Sequence, residues 1–372
     1  MRRGPHPLPV HLGMVASNMQ DIQKYALDAQ FSLSQDQTVD VLRGIKMYQE
    51  HPFSRPDMAV DVVWKSGKTR LLRPVVESRD TLSLKQTLIV IPSLINSSDI
   101  LDISTEQSFV RWCVNNGIDT YLVDWGDLSA EPDLTIEDIV VDRLSKLIQF
   151  VSKKEGKPVD VMGYCMGGTL LAGTHHVVSD HIRRMVFLAA PWNFHAPSFE
   201  FARLARVSSL SILPVIKEKS LLPPEYVQSL FAVLDPKAAA QKFMRFSDMD
   251  QESAEARLFV SVEDWLNNGV ALPGNIAQHC IQEWFLDNRP YCGTWSIGQK
   301  RIDMEAIQKE CLILASSSDK IVPIESAAAI TENILPEYVS MVELSSGHIG
   351  LIVGRHAQRQ VWARICDFLQ KK

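Results

Sequence analysis

A cysteine at position 165 sits between glycines in Val159-Asp160-Val161-Met162-Gly163-Tyr164-Cys165-Met166-Gly167-Gly168, and the run Thr169-Leu170-Leu171-Ala172-Gly173 follows it. A short apolar strand, then Gly-x-Cys-x-Gly, then the opening of a helix is the pattern of a nucleophile elbow, which holds one reactive side chain out at the top of a sheet. Such a turn strains the backbone of its central residue, and side chains at Gly163 and Gly167 would collide across it. The sulfur is thereby set at a helix N-terminus. There the positive end of the helix dipole stabilises negative charge, and the amide of Met166 can bind an oxyanion. An arbitrary cysteine is more often a small buried hydrophobe without chemistry; strand, spacing and helix together favour the nucleophile. The segment does not meet Gly-x-Gly-x-x-Gly, so a dinucleotide site is not expected.

A thiol nucleophile needs a base, and the base needs an orienting group. Behind an elbow of this kind the chain order is nucleophile, acid, histidine, with the last two on loops after late strands. Asp319 lies in Ala315-Ser316-Ser317-Ser318-Asp319-Lys320, after the apolar run from Cys311 to Leu314; His348 lies in Ser345-Ser346-Gly347-His348-Ile349-Gly350, after the run from Met341 to Leu344. An aspartate in a serine-rich loop is commonly a turn or cap residue. The joint placement of the two, in the required order, selects them as acid and base. His175-His176 falls about three turns into the helix beyond Cys165 and is expected to point away. Asp124 ends a strand but precedes the nucleophile, which suits a supporting or capping role. A second oxyanion donor is normally an amide in the loop after the third strand, here Pro92 to Asp102, and Ile95 is chosen to stand beside Met166.

These residues must be carried by a sheet. Ala59–Trp64 and Thr69–Pro74 flank Ser66-Gly67, a hairpin signal. Short apolar runs then recur at 87–91, 120–123, 159–162, 185–188, 311–314 and 341–344, mostly separated by helix-length stretches. Runs apolar on both faces, alternating with helices, predict a mainly parallel sheet covered on each side. A leading hairpin followed by this series is the strand plan of an α/β hydrolase. The interval from about Asn193 to Arg301 breaks the rhythm. It is too long for a crossover and holds helical patterns of its own at 224–234 and 253–267, so an inserted helical cap is expected. The expected division is a helical extension over 1–58, the first part of the core over 59–192, the cap over 193–300 and the second part of the core over 301–372.

Composition narrows the classes. A chain of 372 residues with net charge -6 has no basic footprint, so nucleic acid is not an expected partner. Six cysteines without a Cys-x-x-Cys pair suggest neither a zinc site nor a disulfide framework, and suit a reducing cytoplasm. Prolines follow the basic N-terminus where a signal peptide would be apolar, so export is not expected. No apolar run reaches the length of a membrane span.

Taken together, the motifs resemble those of the polyhydroxyalkanoate synthase family, whose lipase-like box carries cysteine in place of serine. Gly163 to Leu171 looks like that box, Pro92 to Leu101 its Pro-x-x-Ile-Asn-x-x-x-Ile-Leu segment, and Tyr121-Leu122-Val123-Asp124-Trp125-Gly126 its strand-end motif. Leu222-Pro223-Pro224-Glu225, Leu234-Asp235-Pro236 and Gly347-His348-Ile349-Gly350 extend the likeness from about Asp61 to the C-terminus. The resemblance implies polymerisation of (R)-3-hydroxyacyl-CoA with release of CoA. Cys165 would hold the growing polyester as a thioester, His348 would deprotonate it, and Asp319 would assist His348 or the incoming hydroxyl. It implies no cofactor and no metal, the CoA thioester being substrate. The short N-terminal extension is similar to that of synthases that work with a second, non-catalytic subunit; a homo-oligomer and residence in the cytoplasm or on the polyester granule surface are further expectations. The segment Asn288 to Gly298 and the serines before Asp319 depart from the family's pattern. Two other functions stay open: a hydrolase of the same fold, acting as an acyl-CoA thioesterase or intracellular polyester depolymerase, and a catalytically silent granule protein.

Overall fold

A computed structural model of the chain describes residues 2–17, 33–77, 79 and 84–371. Among these residues, contacts divide the chain into two units, Met1–Pro56 with Pro223–Gly269, and Asp57–Leu222 with Val270–Lys372.

The first unit is helical, with helices at Leu8–Ser17, Gln35–Glu50, Pro224–Leu234, Pro236–Ser247 and Ala254–Asn267. Ser34 starts the second of them through a capping box: its Oγ accepts from the Gln37 amide at 3.2 Å while its own amide donates to Gln37 Oε1 at 2.9 Å. Asp235 and Ser253 cap the last two by a single side-chain bond, each accepting from the amide three residues on. Val41, Ile45 and Tyr48 pack with Phe243, Phe246 and Val260 in one apolar cluster. Each such side chain contributes roughly 1.5–3 kcal/mol by leaving water. Of the extension expected over 1–58, residues 18–32 lie outside the described residues. Of the stretch expected as a cap, 223–269 packs within this unit and 193–222 and 270–300 belong to the other.

The second unit is built on an eight-stranded sheet. Its strands are β1 (Val60–Ser66), β2 (Thr69–Pro74), β3 (Gln86–Ile91), β4 (Ile118–Asp124), β5 (Val159–Tyr164), β6 (Ile182–Leu188), β7 (Cys311–Ser316) and β8 (Val339–Leu344). They lie in the order β1-β2-β4-β3-β5-β6-β7-β8. β2 pairs antiparallel with both β1 and β4, and every other pairing is parallel. Gly67 turns the hairpin at φ +56°. β4, β5 and β7 are buried along their whole length, as strands covered on both faces must be. The strand order, the lone antiparallel β2 and the helices between the parallel strands make this an α/β-hydrolase fold, as the apolar runs predict. Its consequence for chemistry is that the C-terminal ends of β3, β5, β7 and β8 open toward one edge.

Candidate active site

The nucleophile candidate stands where β5 ends. Cys165 has φ 53° and ψ -129°, a conformation that non-glycine residues rarely adopt, and the helix Met166–Val178 starts at the next residue. The glycines beside it answer to space. A Cβ on Gly163 would stand 2.4 Å from the Cα of Gly168, and one on Gly167 would stand 2.1 Å from the carbonyl oxygen of Ile91 at the end of β3. Both lie far inside van der Waals contact, so only glycine lets strand and helix close this tightly.

His348, on the loop after β8, presents Nδ1 to Asp319 Oδ2 at 2.6 Å. Asp319, on the loop after β7, spends its other oxygen on the amides of Ile321 at 2.8 Å and Val322 at 2.9 Å, so its rotamer is fixed before it meets the imidazole. Burial alone would lower the pKa of His348; the Asp319 charge, the Cys165 sulfur and hydrogen bonds to both outweigh it and push the pKa up to about 10. Cys165, Asp319 and His348 are thus brought together from three loops, and all three are buried.

The two loops are stapled to each other by the serines ahead of Asp319. Ser316 Oγ donates to the carbonyl of Ser346 at 2.6 Å and accepts from the amides of Ser346 at 2.9 Å and Ser318 at 3.3 Å. Ser317 donates through its amide at 3.0 Å and its hydroxyl at 3.1 Å to the carbonyl of Leu344. The serine run that departs from the family's pattern therefore has a physical role in holding the histidine loop against the acid loop. Sequence reasoning noted these residues without finding that role, because the bonds join positions some thirty residues apart.

Met166 occupies the first turn behind Cys165. Ile95 lies in the loop after β3, where its amide donates to Ser93 Oγ at 3.3 Å and its carbonyl accepts from the Val270 amide at 3.2 Å. An oxyanion bound at Ile95 would have to displace the Ser93 hydroxyl. Trp125 steadies the same loop by donating from Nε1 to the Pro92 carbonyl at 3.3 Å. Asp124 accepts from Arg70 Nε at 2.8 Å and from the Gly126 amide at 3.1 Å, which makes it a strand-end anchor. His176 accepts from the Asp303 amide at 2.5 Å, and His175 is buried in the body of the helix. In the segment 288–298, Asn288 bonds to the amide of Phe194 at 2.8 Å and to the side chain of Asn193 at 2.9 Å. Trp295 packs against Gly173 of the helix behind Cys165. Among the described residues no cluster of metal-ligating side chains occurs, and no helix is long and apolar enough to cross a membrane.

Sheet order, elbow and the converging loops of Asp319 and His348 define an α/β-hydrolase-fold protein with a cysteine at the elbow. It is similar to polymerase subunits: the chain is 24% identical over 315 residues to the poly(3-hydroxyalkanoate) polymerase subunit PhaC of Haloferax mediterranei, covering 84% of this chain and 64% of that protein. It is likewise 24% identical over 323 residues to the PhaC subunit of Synechocystis sp., covering 84% of each. The chain thus spans just under two thirds of the length of the Haloferax protein. Among solved structures, a bromoperoxidase from Bacillus anthracis aligns over 85% of this chain at 15% identity, with a TM-score of 0.49. No family model matches the chain.

Proposed function

We propose that the chain is an acyltransferase that polymerises (R)-3-hydroxyacyl-CoA into polyhydroxyalkanoate and releases CoA. The observation that carries this reading is a cysteine on a strained elbow facing a histidine whose other nitrogen is held by Asp319 at 2.6 Å, in a chain similar to PhaC subunits over most of its length.

The chemistry needs each part. Cys165 gives its proton to His348, and its thiolate attacks the thioester carbonyl of the acyl-CoA. The tetrahedral oxyanion collects hydrogen bonds from the Met166 amide and a donor in the loop after β3. The carbon–sulfur bond to CoA breaks, and His348 returns the proton to the departing CoA sulfur. Exchange of one sulfur for another costs little free energy, so loading is readily reversible. His348 then takes the proton of the next monomer's 3-hydroxyl; that oxygen attacks the Cys165 thioester, forms the ester, and expels the sulfur, which recovers the proton. Asp319 holds the imidazole in the right tautomer and stabilises its charged form. Water is the competing nucleophile at the second step, and a buried site disfavours it.

A hydrolase with the same residues would release free 3-hydroxy acid, and a silent granule protein would load no acyl group. Purified chain incubated with (R)-3-hydroxybutyryl-CoA, alone and with a second synthase subunit, is expected to yield CoA and insoluble polyester. CoA with free acid as the sole product defeats the polymerase reading. Requirement for the second subunit, self-association and attachment to polyester granules belong to the same proposal and are read from the same preparation by sizing and granule pull-down.

A further inference from the structure

Tyr164 immediately precedes the nucleophile, yet its side chain turns to the base. Its ring lies over the imidazole of His348, with centroids 5.1 Å apart and planes 24° apart, and its hydroxyl donates to the backbone carbonyl of His348 at 3.2 Å. Only 3% of the residue is exposed. The two ends of one side chain thus grip both the ring and the backbone of the same histidine. We propose that Tyr164 is a positioning residue that clamps the His348 imidazole between Asp319 and Cys165 and shields one face of it from water.

The groups facing the imidazole are the Asp319 carboxylate from the loop after β7, the Cys165 sulfur from the elbow and the Tyr164 ring from the end of β5. Asp319 fixes one nitrogen, which leaves the ring free to tilt about that bond. The Tyr164 face removes that freedom. An aromatic face over an imidazolium also favours the charged form through its quadrupole. Burial, then the neighbouring Cys165 and Asp319, hold the phenol well above its ordinary pKa, so it stays a donor throughout the working range.

This inference rests on the roles proposed for Cys165 and His348, and its test separates the two. The pH profile of Cys165 alkylation by iodoacetamide is measured on the full chain by peptide mass analysis, which needs no polymerase substrate. Tyr164→Leu keeps the apolar bulk and loses the aromatic face. Its alkylation rate is expected to fall about tenfold, and the inflection that marks loss of the imidazolium to move down by about half a pH unit. Tyr164→Phe keeps the face and loses only the tether, and should stay within about threefold of the parent with its inflection in place. Tyr164→Met is run beside Tyr164→Leu so that a folding defect in one leaves a second readout. Parent-like profiles in the folded Leu and Met variants overturn the clamp, as does a fall in rate with the inflection unmoved. A parent-like profile in His348→Gln overturns the roles beneath it and takes the clamp with them.

Discussion

On the proposed mechanism Cys165, His348 and Asp319 act as a unit, so their losses are not expected to add. Cys165→Ala should abolish the acyl-enzyme observed by intact-protein mass after brief exposure to 3-hydroxybutyryl-CoA. His348→Gln should lower turnover by at least ~10³-fold, because a cysteine without its base gains nothing from the rest of the site. Asp319→Asn is subtler. It keeps the contact at His348 Nδ1 but replaces a charged acceptor that also takes the Ile321 and Val322 amides, and a loss of roughly 10²–10⁴-fold in turnover is expected. Turnover of any of the three within tenfold of the parent, measured as CoA release, would refute the assignment. The roles proposed for these three follow from local spacing and chain order. Ser316 and Tyr164 were not legible that way: a serine in a loop and an aromatic beside a nucleophile have many ordinary uses, and only folding shows what they touch.

At the scale of elements, the elbow and the two loops are rigid for different reasons. The elbow is closed by glycine. Gly167→Ala drives a Cβ into the Ile91 carbonyl at the end of β3, and is expected to cost about 2–3 kcal/mol in urea unfolding as strand and helix are forced apart. The loops are tied by hydrogen bonds. Ser316→Ala leaves the Ser346 amide and carbonyl and the Ser318 amide without the Ser316 hydroxyl, at an expected cost of about 1–3 kcal/mol, with a parallel fall in turnover because His348 loses its footing. Unchanged stability in Ser316→Ala would show that the two loops do not depend on this staple. The strands were readable from sequence because a strand buried on both faces has to be apolar along its length. β6, for which the run begins at Met185, starts earlier, at Ile182: Arg183 and Arg184 fall within it and are neutralised by Asp160 and Glu310, partners that a linear pattern cannot display.

For the whole molecule, buried histidines make stability depend on pH in opposite directions. His175 and His279 are lowered from 6.5 to about 4, in each case first by burial, with nearby positive charge adding to it. A group whose pKa is depressed on folding is protonated first in the unfolded chain. Stability is therefore lost as pH falls from 6.5 toward 4, by up to about 3 kcal/mol for the fully buried His175. His348 is raised to about 10, so its contribution is complete below 6.5 and fades as pH rises through 10. Urea midpoints should accordingly peak near pH 6–7. His175→Leu should flatten the acid limb, and His348→Gln the alkaline limb. An acid limb as steep in His175→Leu as in the parent would exclude that histidine as its source.

Sequence alone determined the sheet, the elbow and the placement of Cys165, Asp319 and His348 in that order at strand ends, since each is written in short-range features: apolar runs bounded by turns, glycines at sites of close approach, polar residues just after strands. Tertiary structure decided what those features could not carry. It turned the Ile95 amide to Ser93, tied the Asp319 loop to the His348 loop through Ser316, laid Tyr164 on His348, and grouped 223–269 with the N-terminal helices. The reason lies in the range of the forces. Backbone strain and burial periodicity act within a few residues, whereas a hydroxyl or ring finds its partner across the fold, and its identity says nothing of where that partner will be.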